Sequence, residues 1–316
     1  MYEVIVNPAG GNGRTGILAE KLRRVLAERN LPARFHFSSL RMGIEDLTRS
    51  LSEPGEDRVL VVVGGDGTMN QAVNGLQDFA RTKVAFLSFG SGNDLARGLK
   101  LPRSPEAFAD MLEDGKTKAV DVGVAAFVSA ISREGKQLPA YERRFLISCG
   151  IGFDAAICEA ARAGEMKKTL NNLHMGKFSY IYEAMKVIFQ TAPAFVKIKD
   201  DSGEKVYEKL LMAACMNQPF EGGGFMFAPQ ASGDDGILDL CTADNIPKIR
   251  FFQAFPFAYS GNHVRFPGVC ISRSRTFEIC SDRMLWVHTD GETDAMADHL
   301  RIGLAEEKLQ MIVKED

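Results

Sequence analysis

Val59–Asn74 reads VLVVVGGDGTMNQAVN. Five apolar residues, four of them Val, run straight into Gly64-Gly65-Asp66-Gly67-Thr68. That run has the pattern of a strand buried on both faces of a parallel sheet. Ala72, Val73 and Leu76 follow at helical spacing and share one face. The intervening glycines permit a tight turn whose backbone N–H groups can approach an anion closely. The helix then aims its positive end at the same anion. Asp66 is an acid amid anion-binding donors, which makes chemical sense if a metal ion, a hydroxyl or a ribose also sits there. The plain alternative is an ordinary β-turn-α connection with glycines for geometry.

Two further loops repeat the arrangement. Tyr2–Val6 is an apolar strand, Asn7–Thr15 (NPAGGNGRT) is glycine-rich, and Ile17–Arg29 carries a helical face of Leu18, Leu22, Val25 and Leu26. The spacing matches neither G-x-G-x-x-G nor the Walker pattern, so alone it is a weak signal. Arg14 and Thr15 could reach phosphate oxygens there, Arg by a forked pair of bonds. Downstream, strand Val84–Phe89 ends in Gly90-Ser91-Gly92-Asn93-Asp94-Leu95-Ala96-Arg97. Asn93 and Asp94 are natural helix caps, and capping alone would explain them. Yet loops at the carboxyl ends of parallel strands gather along one crevice. Three glycine turns gathered there favour a nucleotide phosphate site over three unrelated turns. Ala33–Ser38 and Gly43–Leu51 supply another strand and helix, Ala107–Leu112 a short helix, and Lys118–Val124 leads out of this α/β region.

Composition agrees with a soluble enzyme-sized chain. The 316 residues suffice for one large or two ordinary domains, and 45% hydrophobic content supports a core. A net charge of −3 gives no global attraction to nucleic acid, so no nucleic-acid partner is expected. The six cysteines form no close metal-like pair and read as reduced core residues of a cytoplasmic protein. MYEVIVNPAGG lacks the features of a signal peptide. No apolar segment approaches the roughly 20 residues that span a bilayer.

The pattern changes near residue 125. Short alternating runs appear at Phe145–Cys149, Phe195–Lys199, Leu210–Met216, Ile237–Cys241, Val264–Phe266, Thr276–Cys280 and Leu285–His288. They predict a mainly antiparallel sandwich or barrel-like second domain. Phe153–Gln190 reads as one long helical insertion, Ser132–Arg144 as a polar hairpin loop, and Lys308–Val313 as a strand returning to the first domain.

Three clusters in this half carry chemistry. Asn217–Pro229 (NQPFEGGGFMFAP) holds three consecutive glycines that need a packing or substrate-approach reason. Ser232–Asp239 (SGDDGILD) offers acids and carbonyls suited to a hard cation such as Mg²⁺, or simply an Asp-Gly hairpin turn. Asp290-Gly291-Glu292 places two acids around a glycine at a strand end, a general base or metal partner if it is more than a turn.

Taken in order, Asn7-Pro8-x-x-Gly, Gly64-Gly65-Asp66-Gly67-Thr68, Gly90-Ser91-Gly92-Asn93-Asp94-x-Ala96-Arg97, Gly222-Gly223-Gly224, Asp235-Gly236-x-Leu238-Asp239 and Asp290-Gly291-Glu292 closely resemble the diacylglycerol kinase catalytic-domain family. The soluble bacterial lipid kinases are the best match, with sphingosine and ceramide kinases more distant. The resemblance spans nearly the whole chain. It implies an α/β N-terminal nucleotide-binding domain (1–124, with 300–316 returning to it) plus a mainly antiparallel β-sandwich C-terminal domain for the lipid (125–299). ATP lies in the cleft between them.

The resemblance also assigns residues. Asn7, the loop Gly64, Gly65, Asp66, Gly67, Thr68, Met69 and Asn70, and the turn Gly90, Ser91, Gly92, Asn93 and Asp94 line the ATP site. Thr68 touches a phosphate, and Asp66 belongs to an acid–water–Mg²⁺ network. Ser232, Asp235 and Ile237 match a structural Mg²⁺ site, Ser and Ile through backbone carbonyls. Glu292 matches the proton acceptor, with Asp290 beside it. Ser91 stands where Thr is commoner and keeps the hydroxyl. The implied reaction is ATP plus a lipid alcohol, most simply diacylglycerol, giving a lipid phosphate and ADP. An NAD kinase also uses a Gly-Gly-Asp-Gly loop and is the alternative, as is a sphingosine- or ceramide-type kinase or a non-catalytic nucleotide or lipid sensor. A lipid kinase without a spanning helix must visit the membrane surface peripherally. Lys167–Phe189 and Arg250–Phe266, which mix basic and aromatic residues, are the expected contacts, unless their aromatics are simply core. Nothing in the sequence sets the oligomeric state, and a homodimer stays open.

Overall fold

The computed structural model describes residues 1–162 and 186–314. The first half alternates strand and helix. The elements are β1 (Tyr2–Val6), α1 (Arg14–Glu28), β2 (Ala33–Phe37), α2 (Ile44–Leu51), β3 (Arg58–Gly64), α3 (Asp66–Gly75), β4 (Thr82–Ser88), α4 (Asp94–Gly98), α5 (Pro105–Asp114) and β5 (Thr117–Val120). With the C-terminal strand β16 (Leu309–Ile312) they build a six-stranded sheet ordered β2-β1-β3-β4-β16-β5. β2, β1, β3, β4 and β16 run parallel, and β5 closes the edge antiparallel. The valine run of β3 lies inside this sheet with Leu60–Val63 fully buried, as its unbroken apolar character requires. Helix α1 buries Ala19, Leu22, Val25 and Leu26. Helix α5 is longer than its apolar pattern predicts because Ser104 caps it, Pro105 opens it, and Gly115 ends it at φ 62°.

The second half is antiparallel throughout its pairings. It contains β6 (Gly123–Ile131), β7 (Gln137–Leu138), β8 (Tyr141–Phe145), β9 (Ser148–Gly152), α6 (Phe153–Arg162), β10 (Ala194–Asp200), β11 (Gly203–Met216), β12 (Leu238–Asp244), α7 (Lys248–Ala254), β13 (Val269–Ser274), β14 (Phe277–Thr289) and β15 (Glu292–Leu304). Strands β11 and β14 are long and do double duty. Their first halves pair with β10 and their second halves with β9. Register shifts near Leu210 and between Cys280 and Leu285 bend them from one layer of the sandwich to the other.

Several expectations change. Thr276–Cys280 and Leu285–His288 are one strand, β14, because the shift between them hides its continuity. Val264–Phe266 is not a strand; Asn262–Arg265 forms a 3₁₀ turn after Gly261, which sits at φ 69°. The Ser132–Arg144 loop contains β7 and most of β8. Residues 300–304 belong to β15, so the chain returns to the first sheet only with Leu309–Ile312. All six cysteines are free, but Cys270 and Cys280 are exposed rather than core. Of the Arg250–Phe266 aromatics, Phe251 is buried while Phe257 and Tyr259 are half exposed. Most of Lys167–Phe189 lies outside the described residues. Among the described residues no helix is long and apolar enough to cross a membrane.

Candidate active site

The three glycine loops meet at the carboxyl ends of β1, β3 and β4. Asn7 donates its backbone N–H to the Val63 carbonyl at 3.3 Å and its side-chain amide to Thr68 Oγ1 at 3.3 Å. The Phe89 N–H donates to the Gly64 carbonyl at 2.6 Å. Gly65 and Gly90 touch backbone to backbone, for a Cβ on Gly90 would lie 2.9 Å from Gly65 Cα. Gly65 itself has an ordinary φ of −90°, and a Cβ on it would meet Gly90 Cα at an ordinary 3.4 Å, so the approach demands glycine at position 90. A Cβ on Gly64 would strike the Thr68 side chain at 2.5 Å. Helix α3 starts right after this junction. Its first N–H groups have no acceptor within the helix, which makes the junction a natural phosphate seat.

The side chains expected here divide by what they face. Met69 packs in the core, and Asn70 turns away from the loop to bond the second domain. Asn93, at φ 55°, closes its own turn by accepting from Ser88 Oγ and Gly90 N. Ser91 is exposed at the tip, and Arg14 is exposed with its Nε on the Gly11 carbonyl. Thr15 is fully buried beneath Gly10, so it does not reach toward a phosphate.

Asp66 ties two loops together. Its carboxylate accepts the N–H groups of Asp94 (3.1 Å) and Leu95 (3.4 Å) at the start of α4. A Cβ on Gly92 would lie 2.9 Å from Asp66 Oδ2. Burial pushes the Asp66 carboxyl up to about 6; the charges of Asp94 and Asp290 add to this and the two N–H bonds oppose it. Asp94 in turn pairs with Arg97 and accepts the Gly223 N–H at 2.7 Å. The three-glycine segment Gly222–Gly224, with φ of 61°, 86° and 115°, therefore has its reason: it brings bare backbone from the second domain onto the nucleotide side.

The second domain also delivers the two acids after β14, but to different tasks. Asp290 is fully engaged. Its oxygens accept the backbone N–H groups of Leu146, Ile147 and Ser148 and the Asn70 amide. It is buried and holds the two halves together, which corrects its expected catalytic role. Glu292 faces the glycine loop. A Cβ built on Gly67 would lie 2.0 Å from Glu292 Oε1, so its carboxylate lies directly on the Gly67 backbone.

In the segment expected to hold a structural Mg²⁺, the acids already have protein partners. Asp235 accepts from Arg273 at 2.7 Å and from the Ile237 N–H at 3.1 Å. Asp234 pairs with Lys118 at 2.9 Å and accepts from the Ser232 hydroxyl. The Lys308 ammonium lies 2.7 Å from Asp121 Oδ1 and donates to the Asp234 carbonyl at 3.1 Å. Asp121 Oδ2 accepts the Gly236 N–H at 2.8 Å. Of the three expected ligands, the Asp235 carboxylate is thus met by a side-chain cation, as are the neighbouring acids Asp234 and Asp121.

Two family models match this chain: the diacylglycerol kinase catalytic domain over residues 2–125, and the YegS C-terminal NAD kinase beta sandwich-like domain over residues 148–310. The chain belongs to the diacylglycerol kinase catalytic-domain family. It is 28% identical to the diacylglycerol kinase of Mycobacterium tuberculosis over 71% of this chain and 67% of that protein. It is 26% identical to the diacylglycerol kinase of Staphylococcus carnosus over 77% and 72%. A crystal structure of a diacylglycerol kinase from Bacillus anthracis superposes with a TM-score of 0.69 at 21% identity, covering 99% of this chain and 96% of that one. An NAD kinase from Archaeoglobus fulgidus in complex with ATP gives 0.54 at 12% identity, covering 100% and 94%. These two likenesses concern the fold. Membership makes the chain a kinase, and its loops are the expected place for a nucleotide.

Residues the sequence reading passed over also shape this kinase's cleft. Lys308 and Asp121 were unremarkable singly, and only the return of the chain to β16 brings them together. Asp154, Glu221 and His288 converge behind the site, with His288 two residues before Asp290 in VHTDGE. That neighbourhood was a usable signal.

Proposed function

We propose that this protein is an ATP-dependent lipid kinase that phosphorylates the free hydroxyl of diacylglycerol to give phosphatidic acid. The observation that carries the reading is the Glu292 carboxylate lying against Gly67 of the phosphate loop. It puts a base beside the place where a γ-phosphate would end. MgATP is the donor substrate. N–H groups of the loop and of the first turn of α3 hold the phosphates. The lipid hydroxyl attacks the γ-phosphorus, its proton passes to Glu292, and the bond to the β-phosphate oxygen breaks to release ADP. Phosphoryl transfer needs positioning and charge neutralisation more than covalent help, which suits a site made chiefly of backbone donors. Asp66 acts by holding the Gly90–Asp94 turn against the loop.

The membrane is the partner. From Lys248 to Gly268 the chain carries Lys248, Arg250 and Arg265 and no acid, with Ile249, Phe257 and Tyr259 exposed among them. Basic heads with aromatic bodies suit an anionic bilayer surface. The test is turnover of labelled ATP with diacylglycerol, sphingosine, ceramide, phosphatidylglycerol and NAD, each lipid in phosphatidylglycerol-containing vesicles. Diacylglycerol is expected to give by far the highest kcat/KM. Preference for NAD would overturn the reading.

A further inference from the structure

Behind the Asp290–Glu292 turn lies a buried group that the proposed chemistry does not use. His288 is the next-to-last residue of β14 and is fully buried. Its Nε2 lies 2.8 Å from Asp154 Oδ2 and 3.1 Å from Glu221 Oε1. Its Nδ1 accepts the Gly291 N–H at 3.1 Å. Gly150 on β9 leaves the space, since a Cβ there would lie 2.0 Å from Asp154 and 2.3 Å from His288 Nε2.

The ligand atoms of these three residues lie within 4.8 Å of one another, close enough to suggest a metal site. The ring's hydrogen bonds decide otherwise. A nitrogen that accepts a backbone N–H must present a lone pair. The Gly291 N–H therefore leaves Nδ1 bare and puts the ring proton on Nε2. A protonated Nε2 cannot ligate a metal, and it points at the two carboxylates. Asp154 and Glu221 draw protons toward the ring, but a second ring proton would set N–H against N–H at Gly291. Burial, with the charge of Asp154 beside it, also pushes the Glu221 carboxyl upward, so Glu221 is the other place in this group for a proton. Cys149, Cys158 and Asp290 flank the group and add no positive charge.

Each member belongs to a different piece of the cleft. Asp154 opens α6, Glu221 precedes the Gly222–Gly224 segment that bonds Asp94, and His288 holds the turn that carries Glu292. We propose that Asp154, Glu221 and His288 are a positioning set: the two carboxyl groups fix the His288 tautomer, and the ring's bare Nδ1 fixes the Asp290-Gly291-Glu292 turn so that Glu292 stays over Gly67. This rests on Glu292 being the base. Residue-level support comes from amide chemistry. An Asn side chain can place its oxygen where Nδ1 stands, whereas a Gln amide reaches the Nε2 position.

The test uses the full chain labelled with ¹⁵N-histidine, the His288 signals being assigned by their loss in His288→Gln. The wild type is expected to show Nδ1 unprotonated and Nε2 protonated at pH 7. The Gly291 amide is expected to resist hydrogen exchange in the wild type and in His288→Asn, and to exchange at least tenfold faster in His288→Gln. In kinase assays, His288→Gln should lose kcat roughly 10–100-fold with the KM for ATP unchanged, and His288→Asn should recover most of it. A protonated Nδ1, equal Gln and Asn variants, or a stoichiometric transition metal that is lost in His288→Gln would each overturn the proposal. The ring and exchange measurements need no substrate, so they test the clamp even if the lipid-kinase reading fails.

Discussion

Asn70 on α3 donates its amide to Asp290 Oδ2 across 3.0 Å, joining the helix behind the phosphate loop to the turn behind Glu292. Asp290 collects three backbone N–H groups besides. Asp290→Asn turns an acceptor-only group into one that must set an NH₂ against these donors. It is expected to lower unfolding free energy by about 1.5–3 kcal/mol, the worth of bonds to a charged group. Urea denaturation measures this, and an unchanged midpoint would remove Asp290 from the anchoring role.

Glu292→Gln should cut turnover by roughly 10²–10⁴-fold, the usual worth of a general base, with ATP affinity near wild type. Gly67→Ala tests the same contact from the other side. Its methyl would meet only the end of the Glu292 side chain, at 2.0 Å from Oε1. The carboxylate should swing aside, so kcat falls while thermal stability barely moves. Normal kcat in both variants would move the base elsewhere, with Asp66 the next candidate.

The buried Asp66 carboxyl, raised to about 6, ties stability to pH. Unfolded, it titrates near 3.9. Below about pH 4 both states hold the proton, and this group's contribution is fully present. Between about 4 and 6 only the folded state holds it, so stability falls as pH rises, by up to ~1.4 kcal/mol per pH unit for one proton. Asp66→Asn lacks that slope. Denaturation at intervals across this window should show wild-type stability declining relative to the variant. Parallel profiles would mean that the folded acid ionises normally.

Because Lys118 and Arg273 already pair with Asp234 and Asp235, and Lys308 with the adjoining Asp121, chelators should leave the melting temperature of the wild type unchanged. Lys308→Ala strands the buried Asp121 carboxylate. It should lower the melting temperature by several degrees, in line with the few kcal/mol that an unpaired buried charge costs. Added Mg²⁺ should partly restore it. A wild-type melting temperature that falls in chelator would place a metal there after all.

Local pattern carried much of the reading. The β3 valine run, the three glycine turns and the Asp290-Gly291-Glu292 ending are each contiguous, and contiguous chemistry declares its geometry through backbone freedom and periodicity. That was enough to read the α/β half and the antiparallel half, while Glu292 was singled out by the family resemblance. Partnerships between distant residues were not legible in the same way. Asp66 caps a helix 28 residues away, Asn70 reaches 220 residues to Asp290, and Lys308 meets Asp121 only because the last strand returns to the first sheet. In a strand or turn an Asp looks the same whether it will bind a cation, take a proton or accept four N–H groups. Which it does depends on burial and on the donors that packing brings near, so only the tertiary structure separated Asp290 the anchor from Glu292 over the loop.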